Sequence, residues 1–172
     1  MGNIKPDGIR MGGTFHIVDY KNDGSKRWEV DAKNMVVNVG LQHILDVVFS
    51  GSTQSATWYI GLTGTAPTVA STNTMVTHAG WTEFENYDEA TRQEWVEVRT
   101  NQSMTNSASK ATFTISADSS TIGGAFITSS NTRGGSAGTL MCAAAFTGGD
   151  KSADDGDTLE VQYTYTAGDD GA

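Results

Sequence analysis

Cysteine, proline and histidine are all scarce, and each scarcity excludes something. The single cysteine, Cys142, forbids an intramolecular disulfide and leaves no second thiol for a redox pair or a cysteine metal cluster. Set in LMCAAAF, it reads as a small buried hydrophobe. The three histidines, His16, His43 and His78, lie far apart, so a zinc triad is not expected. Bases are few: 11 Lys and Arg stand against 20 Asp and Glu, for a formal charge of -9. Such a chain is repelled by phosphate backbones, and no nucleic-acid partner is expected. No apolar run approaches the roughly 20 residues of a membrane helix, and MGNIKPDGIRMGG has no apolar segment of a signal peptide. No membrane partner is expected, and the chain reads as a soluble protein made in a cytoplasm.

What is abundant is glycine, 20 residues of it, with serine and threonine between short apolar runs. That texture predicts many short strands joined by turns. GTFHIVDY and RWEVDAKNMVV flank Asp23-Gly24, a strong hairpin signal. Phe15 and Ile17 share one face, and Trp28 and Val30 share one on the partner strand. ATWYIGLTG, QEWVEVRT, ATFTIS, IGGAFITS and TLMCAAAF each read as a strand, and DTLEVQYTYT alternates cleanly with Leu159, Val161, Tyr163 and Tyr165 inward. Gly123-Gly124 within a strand pattern predicts a bulge or a close backbone approach.

One helix is expected, over about 39–50. Leu41, Ile44, Leu45, Val48 and Phe49 form an apolar stripe, with Asn38 as N-cap and Gly51 as stop. The expected fold is therefore mainly β: an antiparallel β-sandwich or jelly roll of about eight to ten strands with one short α-helix. Residues 1–13 read as an extended N-terminal arm, 14–167 as a single β-sandwich domain, and 168–172 as a polar C-terminal tail.

Several motifs invite chemistry and fall short of it. His78 lies near Glu83, Glu85 and Asp88, but no nucleophile motif accompanies them. Its expected role is to hydrogen-bond backbone before Gly80-Trp81. DKSADDGDTLE is rich in acids but lacks EF-hand spacing, and it reads as a plain turn. RGGSAGT lacks the Lys-Ser/Thr ending of a phosphate loop and reads as a flexible hairpin tip. Trp81, Tyr87 and Trp95 with Asn86 could stack on a sugar; core or interface roles are the commoner use of tryptophan in a small β-domain. No enzyme activity, metal or cofactor is expected.

An ordered set of motifs carries a resemblance. NVGLQHILDVVFSG (from Asn38) is followed by WYIGL (Trp58–Leu62), TMVTHAGWTE (Thr74–Glu83) and YDEATRQEW (Tyr87–Trp95). Then come ATF (from Ala111), IGGAF (from Ile122) and GDTL (from Gly156). This order resembles a family of virion proteins of tailed bacteriophages and prophages, over most of residues 34–165. The resemblance implies a structural virion protein, one that decorates or cements the capsid. Its implied partners are the major capsid protein and further copies of itself, as dimer or trimer. Its implied location is the capsid surface, after synthesis in the host bacterial cytoplasm. A tail, connector or fibre component with a receptor- or glycan-binding surface is the alternative. On this reading His78, Trp81, Glu83, Tyr87, Arg92 and Trp95 form a rigid structural corner or contact surface. Arg92 is expected to pair with Glu83, Glu85 or Asp88. Pro6 and Arg10 belong to an arm lying along a neighbouring subunit.

Overall fold

The computed structural model describes residues 8–169. The chain begins with a long strand, β1 (Ile9–Tyr20), and turns at Asp23-Gly24 into β2 (Lys26–Lys33), as the hairpin signal predicts. Gly24 takes the positive φ, 80°, that such a turn demands. A short β3 (Met35–Val36) leads directly into α1 (Asn38–Phe49). The remaining strands are β4 (Tyr59–Thr63), β5 (Glu83–Phe84), β6 (Gln93–Glu94), β7 (Val98–Thr100), β8 (Ser103–Thr105) and β9 (Ala111–Thr114). They are followed by β10 (Ser120–Ile122), β11 (Gly124–Thr128), β12 (Leu140–Ala145), β13 (Lys151–Ala153) and β14 (Thr158–Asp169).

All pairing is antiparallel. One sheet runs β2-β1-β14-β8-β7, with β9 beside β8 along the same edge of β14. The other runs β3-β12-β11-β4-β5, with β6 also on β4, and β10 pairs with β13 alone. The principal core lies between the two large sheets, as in a β-sandwich. Phe15, Ile17, Phe113, Leu159, Val161 and Tyr163 of the first meet Ile60, Leu62, Ala125, Ile127, Cys142 and Ala144 of the second. A second apolar cluster, with Val37, Met75, Trp81, Phe126, Leu140 and Ala143, covers the outer face of β11 and β12. The central strands of that sheet are thus buried on both faces. That is why they read as continuous apolar runs while β14 alternates.

Some expectations need correction. The fourteen strands exceed the expected count because several are only two or three residues long. QEWVEVRT is not one strand: it breaks at Trp95–Glu97, where Trp95 N–H donates to Trp58 C=O and Glu97 N–H turns back to Trp95 C=O. The part of the expected arm from Ile9 onward is strand, paired with β14 residue by residue. Gly12-Gly13 looks like loop composition, but a Cβ at Gly13 would stand 2.4 Å from Thr164 O, so the glycine permits close strand packing. Gly168 and Asp169, expected in the tail, pair with Arg10 and Ile9. Pro6 and residues 170–172 lie outside the described residues. Gly123-Gly124 marks the close approach anticipated for it, since a Cβ on Gly123 would sit 1.9 Å from Ala66 N.

Candidate functional site

The corner expected to be a rigid structural element or contact surface is built inward. His78 Nδ1–H donates to Trp81 O (3.0 Å), and the ring stacks on that of Trp81 at 4.0 Å. Trp81 is buried and rests on Phe126, 5.0 Å away. Arg92 is 1 % exposed, a charged side chain in the interior. Its Nε and Nη2 donate to the two carboxylate oxygens of Glu83 at 2.8 and 2.7 Å, a bidentate pair. Its other N–H groups donate to Ser130 O and Gly135 O, and its guanidinium lies 5.3 Å from the centre of the Phe126 ring. Of the three acids offered as partners, Glu83 is the one bonded to it.

The same region ties down the glycine-rich connection between β11 and β12. Gly134 N–H donates to Glu83, and Arg133 donates to Tyr87 O and Glu89 O while lying over the Tyr87 ring. The expected flexible tip is therefore held along its middle by hydrogen bonds. Tyr87 is buried against Phe113, and burial raises its phenol well above the usual range. Trp95 is buried at the sheet interface, with its indole N–H on Tyr163 O at 3.1 Å. Trp81, Tyr87 and Trp95 thus face different interior neighbours and do not form an exposed platform on which a sugar could stack. Arg10 is exposed on β1 opposite Gly168.

A second charged cluster escaped the sequence reading. The register of β1 on β2 slips after Asp19, which opposes Trp28, so that Arg27 is the bulged residue. Its guanidinium meets Asp154 (2.8 Å), Asp157 (2.6 Å) and Asp19 (3.3 Å). Asp154 and Asp157 belong to the loop weighed for calcium. It is a turn, closed by Asp157 N–H to Asp154 O, with the Asp157 carboxylate accepting from Asp154 N–H. Arg27 fills the space between the acids, and among the described residues no group of acids, histidines or cysteines is placed to hold a metal. Asp19 is fully buried, and neither carboxylate oxygen has a hydrogen-bond partner. Burial, then the charge of Asp157, pushes its pKa up to about 7, against the pull of Arg27. The signal was present: Asp19 continues the inward phase of Phe15 and Ile17.

Four of the exposed large hydrophobic side chains lie on α1: Leu41, Leu45, Val48 and Phe49. The N-cap of this helix is Val37 rather than Asn38, with no side-chain cap bond. Gly51, at φ 68°, follows its C-cap as expected. The apolar stripe does not face the core. Leu41 is 38 % exposed, Leu45 55 %, Val48 63 % and Phe49 80 %. The helix docks instead through Gly40, where a Cβ would lie 2.5 Å from Met141 O on β12.

His43, Ile44, Val47 and Val48 form one wall of a cleft of about 360 Å³ at an open end of the sandwich. Met11, Trp58, Met104, Met141, Tyr163 and Tyr165 contribute to the rest of it. Its polar groups are few. His43 meets the Trp58 ring edge-on at 5.4 Å. The Tyr165 hydroxyl is buried without a hydrogen-bond partner and is pushed by burial to about 12. No described helix is long and apolar enough to cross a membrane.

Comparison with protein-family models, curated proteins and solved structures gave no match.

Proposed function

We propose that the chain is a structural virion protein of a tailed bacteriophage, a decoration or cement protein that lies on the capsid surface and bridges major capsid subunits. One observation carries this reading. The side chains that make the virion-family pattern distinctive are committed to holding the fold. His78 is held by Trp81; Arg92 is held by Glu83, Ser130 and Gly135; Trp95 is tied to Tyr163. A pattern of this kind serves rigidity, as a protein that braces a shell requires, rather than turnover. The charge of -9 supports an outer position, away from packaged DNA. The tail or fibre alternative draws no support from Trp81, which is buried.

The test is the copy number in purified particles of the phage or induced prophage that encodes the chain, by quantitative mass spectrometry against the major capsid protein. A ratio of the order of the capsid lattice is expected. A handful of copies per particle would move the protein to the connector or tail, and absence from particles would overturn the virion reading altogether.

A further inference from the structure

We infer that the outward face of α1, with the cleft beside it, is the contact between two copies of this chain. The inference stands on that surface alone, whether or not the virion reading holds. Leu41, Leu45, Val48 and Phe49 lie at i, i+4, i+7 and i+8 and leave an unbroken apolar stripe in water. Together they expose on the order of 400 Å², as much as the largest apolar patch of an ordinary monomer. That is about half of what each partner contributes to a standard interface.

The cleft supplies more apolar area directly alongside, because Val48 both belongs to the stripe and lines the cleft. A projecting aromatic side chain and an apolar recess thus sit next to each other on one surface. Such a surface is self-complementary under a twofold axis: Phe49 of each copy enters the recess of the other, and both contacts form at once.

Charge selects a second copy over a charged partner. Two chains of charge -9 repel wherever their acids meet. Helix α1 carries one acid, Asp46, and no Lys or Arg, and its one histidine, His43, lies edge-on to Trp58. The cleft adds only Glu97 as a formal charge. This face therefore lets like-charged copies approach with little repulsion, while it offers a basic or acidic partner nothing to steer by.

The test is sedimentation velocity of the full chain from low micromolar to several hundred micromolar, for the native sequence and for Phe49→Glu and Leu45→Lys. Both positions are exposed, Leu45 by 55 % and Phe49 by 80 %, and circular dichroism is the check that each variant keeps the native fold. The native chain is expected to dimerise, and each variant to weaken association by at least about tenfold. Thr121→Glu, at an exposed position on β10, which pairs with β13, is expected to leave the dimer unchanged. A native chain that stays monomeric throughout would overturn the inference, as would a dimer that both α1 variants leave intact. A trimer dissolved by the same variants would overturn the twofold geometry. A monomer that binds small apolar dyes, with binding abolished by a cleft substitution, would make the cleft a ligand site and also overturn it.

Discussion

Asp19 makes stability depend on pH in a direction opposite to that of most carboxylates. It is buried without a hydrogen bond to either oxygen, beside Asp157 and Asp154, and Arg27, with a smaller share from Lys21, offsets them only in part. Its folded pKa, about 7, exceeds the ordinary 3.8, so the folded state holds this proton more tightly than the unfolded chain does. The contribution to stability is therefore full below pH 4 and is lost as pH rises through 7. A tenfold change in proton affinity corresponds to about 1.4 kcal/mol, so between pH 5 and pH 8 this one group should remove about 3 kcal/mol. Asp19→Asn keeps the shape and abolishes the titration. Urea unfolding of both proteins across that range isolates the group, because every other carboxylate is common to the two. The variant should be the more stable at pH 8, and the difference should shrink by about 3 kcal/mol at pH 5. Parallel stability curves would refute the reasoning and mean that Arg27 keeps Asp19 charged throughout.

Two further substitutions test how the interior is held. Arg92→Met leaves the Glu83 carboxylate, 8 % exposed, without its cation, and should cost about 3–5 kcal/mol in denaturant unfolding. Arg92→Met with Glu83→Leu should recover part of that loss, since no buried charge is then stranded. Gly40→Ala should destabilise by about 1–3 kcal/mol, because the new Cβ meets the Met141 backbone and lifts α1 from β12. Helix propensity alone would make the same change stabilising by about 1 kcal/mol. The sign of the shift in thermal midpoint therefore decides whether α1 docks as described.

The fold was legible where one face of a strand is wet. Phe15 and Ile17, and Leu159 through Tyr163, alternate because the other face meets solvent, and their buried phase is the one the pattern indicates. The strand order was not legible. The first strand pairs with the last along twelve residues, and nothing in either pattern names the other as partner. The turn between β7 and β8 was missed for a different reason. It places Asn101 at φ 54° within a polar stretch whose strands bury little, so no apolar rhythm marks them. Arg27 was missed because a bulge redirects it, and a bulge appears only once two strands are in register.

The helix was legible as a helix, but what its stripe faces was not. A stripe at 3.6-residue spacing reports which side chains avoid water; it does not report whether their cover lies in the same chain. Here the docking side is set by Gly40, the residue that lets the backbone of α1 approach that of β12, and a glycine adds nothing to a hydrophobic pattern. Neither apolar cluster of the sandwich includes Leu41, Leu45, Val48 or Phe49. The structural corner is therefore interior, and most of the apolar stripe lies at the surface. An apolar stripe kept at the surface of a strongly acidic protein, beside a recess it does not fill, fits the contact with another copy proposed above.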